Sequence, residues 1–466
     1  MWDQPFDAGG FDQTDIVSGS GVRCRDGRAI FVGETGINDR LASVEVTRGV
    51  WVSNSLPCVV NAANVAIDPS FDRYWLHLHL LHERGIDYRH YVPTARPRVR
   101  LTYLHNLIWD GQRLHQEPKP TPVRALGTFS AYLGFLEATL DRIGTNLGST
   151  ARCTALRTIS TLSSGYDSPA ATTLARRIGC TDALCFDLAR TGESDSGAAM
   201  GPHLGVKPLT VERDAWRARR LPEVPFLATE GMGRNMFLCG AEDHLARRVL
   251  FTGNGGDKTW GKAWVDPGDW VMRTESGLSL TEYRLHAGFI HCAIAFWGVA
   301  QMNDIIRIAS LPEMAPWDVT GDYSRPIARR IVEDAGVPRE LFGMHKRYAA
   351  VGIHNGFDDL TAASWNDFTA WLHDNAWAWI HRRRVPPIPS ARLDHWACTT
   401  GQVVERAARR VSARAARVPG GHAVADRLRR VARIASRPHY LRRYLFPWAL
   451  DRARRRYTLP FDARHG

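Results

Sequence analysis

The sequence predicts an α/β protein built on a parallel, doubly wound sheet, with a β-rich region before it and a basic helical tail after it. Three observations lead there. Between residues 155 and 253, short apolar runs alternate with helix-forming runs, the pattern of a parallel sheet covered on both faces. Before residue 125, strand-like segments are punctuated by turn residues. From Gly401 onward the chain holds 17 arginines, no lysine and 4 acidic residues, a local charge of +13 within a total of +12. The basicity therefore belongs to a tail and says little about the rest of the chain.

In the β-rich region, RAIFVG from Arg28 and VEVTRGVWVS from Val44 have strand composition. RVRLTYLHNLIWDGQRLHQEP from Arg98 ends in a hairpin, because Asp110-Gly111 supplies residues that tolerate positive φ. QEPKPTPVRALG, residues 116–127, is a proline-rich connector, and the helix after it places Tyr132, Phe135, Leu136, Leu140 and Ile143 at helical spacing. Then ALRTISTL reads as a strand, SPAATTLARRIG as a helix, ALCFDLA as a strand, SDSGAAMGPHLG as a helix, and VKPLTVER and RRVLFTG as strands. The expected domains are 1–125, 126–385 and 386–466.

With 466 residues, 44% hydrophobic and 23% charged, the composition is that of an ordinary globular protein. Eight cysteines occur with no CxxC pair, which argues against a zinc site or a disulfide framework. The opening MWDQPFDAGGFDQTD is acidic and lacks the apolar core of a signal peptide. HAGFIHCAIAFWGVAQM, from His286, is shorter than the roughly 20 residues that span a bilayer, so no membrane-spanning helix is expected. The expected location is the cytoplasm, with the tail as a means of peripheral contact with the inner membrane face.

Two loops carry the chemistry. Ser163-Ser164-Gly165-Tyr166-Asp167-Ser168 lies between a strand and a helix, where exposed backbone N–H groups attract an anion such as phosphate. Ser168-Pro169 reads as an N-cap followed by the favoured first helical residue. Asp167 does not suit a bare phosphate, since two negative groups repel unless a divalent cation lies between them. The second loop, Gly253-Asn254-Gly255-Gly256-Asp257-Lys258, repeats the arrangement after another apolar strand. Sheet-end loops of neighbouring strands converge on one crevice, so Asp167 and Asp257 are candidate ligands of one metal ion and its polyphosphate.

These residues resemble the N-type ATP pyrophosphatases, the PP-loop enzymes, and within them the asparagine synthetases and β-lactam synthetases. Their phosphate loop reads S-G-G-x-D-S and their second signature roughly G-x-G-x-D-E. The resemblance covers about residues 125–360 and implies an adenine nucleotide α-hydrolase-like synthetase domain. It implies that Asp167 and Asp257 ligate Mg²⁺ bound to ATP, while Ser163, Ser164, Gly165, Tyr166, Ser168, Gly253 and Gly255 cradle the pyrophosphate. Lys346, in LFGMHKRYA, stands where these enzymes place a lysine that stabilises the transition-state charge. Weaker similarity in VWVSNSLPCVV, ERGIDYRHYVPT and LIWDGQRLHQEPKP implies a degenerate Ntn-like glutaminase domain upstream.

The chain also departs from that family. It begins Met1-Trp2, and its first cysteine is Cys24, so the family's N-terminal nucleophilic cysteine is missing and glutamine hydrolysis is expected to be lost. Ser164 replaces a glycine and Lys258 an acidic residue. The expected activity is amide formation through an acyl adenylate, with pyrophosphate released. The amine would come from free ammonia, a separate amidotransferase or a second substrate. A tRNA-modifying PP-loop enzyme and a catalytically silent nucleotide-binding homologue are the alternatives; the absence of Cys pairs weighs against the first, and Lys258 favours the second.

Arg325, Arg329, Arg330, Glu282 and Arg284 are candidate binders of the acid, with helix-surface salt bridges as the ordinary reading of each. His286 and His291 read as packed or buried hydrogen-bonded residues, and Asn303 and Asp304 as a helix N-cap. In the tail, RLRRVARIASRPHYLRRYLFPWALDRARRRY interleaves arginines with large apolar residues. Packing on its own domain is the plain reading of this run, with anionic membrane surface next and nucleic acid last.

Overall fold

The computed structural model describes residues 1–47, 49–68, 71, 74–78, 90–94, 97–262, 276–319, 323–351, 353, 360–376 and 444–458, with single positions at 407, 410, 411, 424 and 427. Most of the arginine-rich tail and much of ERGIDYRHYVPT lie outside these residues.

The chain is an α/β protein with antiparallel sheets at its N-terminal end and a five-stranded parallel sheet with helices after them. Strands β1 (Gly21–Arg25), β2 (Arg28–Val32), β7 (His105–Trp109) and β8 (Leu114–Pro118) form one antiparallel sheet in the order β1-β2-β7-β8. A second joins β3 (Leu41–Val46), β4 (Gly49–Ser53), β5 (His90–Val92) and β6 (Val99–Thr102) in the order β4-β3-β6-β5, beside helices α1 (Leu56–Ala62) and α2 (Tyr74–Leu78). The β7/β8 hairpin turns at Gly111, φ +96°, while the Asp110 carboxylate accepts from the N–H groups of Gln112 and Arg113, both at 2.9 Å. VEVTRGVWVS, whose composition is that of strand, forms the turn of the β3/β4 hairpin, with Gly49 at φ +146° where a side chain would be strained.

Helix α3 (Phe129–Leu147) leads into the parallel sheet: β9 (Arg157–Thr161), α4 (Asp167–Ala175), β10 (Asp182–Phe186), α5 (Gly201–Leu204), β11 (Lys207–Val211), α6 (Val224–Glu230), β12 (Arg248–Thr252), α7 (Gly256–Thr259), α8 (Leu280–Ala287) and β13 (Ile290–Ala293). Helices α9 (Met302–Ile308), α10 (Pro326–Glu333), α11 (Ala362–Trp371) and α12 (Leu445–Arg454) complete it. The sheet order is β11-β10-β9-β12-β13, all parallel. Alternate side chains serve opposite faces: Ala183 and Cys185 of β10 pack with Tyr132 of α3, Leu174 of α4 and Ile327 of α10. Leu184 and Phe186 pack with Phe226 of α6, Tyr283 of α8 and Trp448 of α12. Burying each large apolar side chain contributes about 1.5–3 kcal/mol, and both faces are filled this way.

Several local expectations are corrected. SDSGAAMGPHLG holds only a 3₁₀ turn at Ala198–Met200 and the single turn α5, because Pro208 closes over Gly201 and Gly205 turns left-handed at φ +59°. Helix α4 starts at Asp167 with Tyr166 in the cap position, since Ser168 Oγ accepts from Ser163 N instead. Gln301, not Asn303 or Asp304, precedes α9. The apolar run from His286 contains β13, so its length reflects an edge strand and 3₁₀ turns. His291 is buried on β13, 2.8 Å from Thr252 Oγ1, but His286 is exposed on α8. Among the described residues no helix is long and apolar enough to cross a membrane.

The described end of the tail packs on the protein. Helix α12 lies against α6, α1 and α11, and Asp451 accepts from Trp371 Nε1 at 3.1 Å and from Arg455 at 2.8 Å.

Candidate functional site

The strand order places the site. From β9 the chain proceeds outward through β10 to β11, whereas β12 and β13 lie on the other side of β9. The order reverses between β9 and β12, and the crevice at the carboxyl ends of two such strands is where open α/β sheets bind ligands. The loops leaving these strands carry Asp167 and Asp257.

The first loop is held by its own side chains. Ser163 and Ser168 hydroxyls lie 2.8 Å apart, and Gly165 N donates to Ser163 Oγ at 3.3 Å. Ser164 N and Oγ donate to the backbone oxygen and carboxylate of Asp195 at 3.0 and 2.7 Å, and its carbonyl accepts from Gly343 N at 2.8 Å. Tyr166 turns inward: its hydroxyl accepts from Arg329 Nη2 at 2.7 Å and donates to the Tyr323 carbonyl at 3.3 Å. The Arg329 guanidinium sits 4.9 Å from the Tyr166 ring and 5.2 Å from that of Phe342. Only the backbone of Tyr166 is left to face a ligand.

The second loop packs directly on the first. A Cβ on Gly253 would fall on the backbone carbonyl of Asp167 and 2.6 Å from its Cβ, and one on Gly256 would lie 2.7 Å from Asp167 Oδ1. Gly255, at φ +86°, has Phe296 against it, so a side chain there is excluded twice. These glycines serve the approach of the two loops to one another.

Asp167 Oδ1 is sealed from solvent and has no hydrogen-bond partner. Burial, and next the charge of Asp257, push its carboxyl up to about 7, against the pull of Arg325 and Lys346. A cation between the two carboxylates would offset both causes. Asp257 is half-buried and pairs with Lys258 Nζ at 3.3 Å. Among the described residues no group of three or more His, Cys, Asp or Glu side chains is gathered as a metal site. The chain therefore offers two carboxylates, and a metal ion here would complete its oxygen shell from water or phosphate.

Two cations, Lys346 and Arg325, act on Asp167. Lys346 is exposed on the segment after Gly343, which is anchored by the Gly343–Ser164 bond, by Arg213 Nε donating to the Ala349 carbonyl at 3.0 Å and by Arg190 N donating to the Tyr348 carbonyl at 2.9 Å. Arg325 is buried beside Gly261. Its Nη1 donates to the Ser324 carbonyl at 2.9 Å, while its Nε is buried without a partner.

The arginines were not separable by sequence. Arg329 is fully buried and holds Tyr166 and Glu333, whereas the adjacent Arg330 makes the expected outer pairs with Glu313 and Asp334 at 3.3 and 3.4 Å. Glu282 and Arg284 lie away from the crevice. Glu282 bonds Ser55 and Tyr457, and Arg284 pairs with buried Asp39. Asp195 and Tyr323 are supporting residues that carry no signal in the sequence, since each acts through a partner distant in the chain, and Arg329, a candidate binder of the acid, instead supports Tyr166. Compared with known proteins, the chain matches no family model and no curated protein.

Proposed function

We propose that this protein is an ATP-dependent amide-forming ligase of the asparagine-synthetase and β-lactam-synthetase kind, acting without glutamine hydrolysis. The observation that carries the reading is the convergence of two glycine-lined loops at the sheet's switch point, with the unbonded Asp167 Oδ1 beside Asp257. In this reading the parallel sheet corresponds to an adenine nucleotide α-hydrolase-like domain and the antiparallel sheets to a degenerate Ntn-like one.

The residues present fit Mg²⁺ and ATP. Asp167 and Asp257 would hold the metal, whose chemistry is to neutralise phosphate charge. The backbone at the start of α4 and the Ser163 and Ser168 hydroxyls would orient the polyphosphate. Lys346, on its anchored segment, would offset charge developing on the α-phosphate as a carboxylate attacks, and Arg325 would add a buried guanidinium whose charge acts on Asp167. The substrates are then a carboxylate and an amine or ammonia, the latter supplied free, by a second substrate or by a separate amidotransferase.

The test is pyrophosphate and AMP release from ATP, Mg²⁺ and a panel of carboxylates with ammonia. Release dependent on an acid, and lost in Asp167→Ala, is the expected result. ATP binding without release under every condition would overturn catalysis and leave the silent homologue, which the Lys258–Asp257 pair favours. Absence of ATP binding would refute the loop assignment.

A further inference from the structure

The chain contains five lysines against 55 arginines, and one of them, Lys119, is buried away from the crevice. It follows β8 and lines a cavity of about 270 Å³ between the β7/β8 hairpin and the turn at residues 298–300. That volume is close to the lower end of small-molecule pockets, roughly 300 Å³. Asp15, Thr35 and His105 contribute its other polar walls, and Leu104, Val299 and Pro120 much of its apolar lining.

The surroundings favour an uncharged amine. The direct partner of Lys119 Nζ is a neutral oxygen, Asn106 Oδ1, at 2.9 Å, and among the described residues no carboxylate forms an ion pair with it. The nearby acids are already engaged or protonated. Asp15 takes both nitrogens of Arg124 at 2.6 and 2.7 Å, Asp12 pairs with Arg23 and Arg25, and burial followed by Asp39 pushes Glu34 up to about 8. Burial accordingly brings the Lys119 amine down to about 7, with Asp15, Glu34 and Asp12 opposing. An arginine could not serve here, because it does not lose its proton in proteins.

We propose that Lys119 is a nucleophilic amine whose cavity admits a small uncharged aldehyde or ketone and holds it as an imine. The Nζ lone pair attacks the carbonyl carbon to give a carbinolamine. The C–O bond then breaks as the C=N bond forms, and the oxygen leaves as water with both protons of the amine. No oxidant, reductant or metal enters the balance.

Reductive trapping tests this on the full-length protein. Glycolaldehyde and cyanoborohydride are added at pH 7, and the five lysines are compared by peptide mass spectrometry. Exposed Lys207 serves as the reference. An amine titrating near 7 is about half uncharged at that pH, against roughly 1 in 2,500 for an ordinary lysine. Lys119 is expected to be labelled at least about tenfold faster than Lys207, with a midpoint near pH 7 in its rate profile. Lys119→Arg should lose that label and retain the others. Labelling of Lys119 no faster than Lys207 in natively folded protein, checked by circular dichroism, would overturn the proposal. So would equal labelling after denaturation and before it.

Discussion

Gly253→Ala tests the meeting of the two loops without reference to any ligand. The added Cβ would overlap the Asp167 carbonyl and lie 2.6 Å from its Cβ, whereas carbon atoms rest at about 3.5–4.0 Å. The obstruction is backbone, so the loops must part by about 1 Å. Overpacking of this kind costs about 1–3 kcal/mol. Gly165→Ala is the control, because its Cβ would meet only Tyr323 Oη at 3.3 Å and Ser163 Oγ at 3.5 Å, and it should cost less than about 1 kcal/mol. Urea midpoints at unchanged slope give both values. If the proposed activity holds, Gly253→Ala should also lower turnover by roughly 10²-fold, since a displacement of about 1 Å has that effect on positioned groups. Equal midpoints for Gly253→Ala and the wild type would show that the loops do not touch through backbone.

Three further outcomes follow from individual residues. Glu34 is held protonated up to about 8, so between pH 4.5 and 8 the folded chain keeps a proton that the unfolded chain has released. Stability therefore falls as pH rises through that window, by at most about 5 kcal/mol, and Glu34→Gln should flatten the profile of urea midpoint against pH. Arg329→Met removes the buried donor to the Tyr166 hydroxyl, while Glu333 keeps Arg339 at 2.8 Å and Tyr166 keeps the Tyr323 carbonyl, so the expected loss is about 1–3 kcal/mol; Arg330→Met should cost about 1 kcal/mol or less. Lys346→Ala should leave the stability derived from urea unfolding within about 0.5 kcal/mol of wild type and reduce pyrophosphate release by roughly 10²–10³-fold; an unchanged rate would remove it from the site.

The parallel sheet was legible because its strands are short apolar runs set between turn residues and helical patterns. β13 was not, since Ile290–Ala293 sits inside a longer apolar stretch whose period cannot separate a buried strand from a buried helix. Asp167 and Asp257 could be named because charge beside a phosphate-type loop is anomalous by itself. The packing role of Gly253 was not legible: it lacks a side chain where the backbone of Asp167 occupies the space, a contact between loops distant in the chain. Arg329 and Arg330 differ by one position and by everything in environment, and tertiary packing alone decides which turns inward.

The two positions that depart from the synthetase pattern differ in weight once their contacts are considered. Ser164 carries its side chain away from the crevice to Asp195, and its backbone joins the β9 loop to both the β10 loop and the Lys346 segment. A serine there tightens this junction, and its side chain adds no obstacle to the proposed phosphate. Lys258 instead puts a positive charge beside one of the two carboxylates of the proposed metal site. That ammonium competes with a divalent cation for Asp257, while Asp167 keeps an unbonded oxygen. Any loss of the proposed chemistry would therefore begin at Lys258, in weaker metal retention, rather than at the phosphate loop.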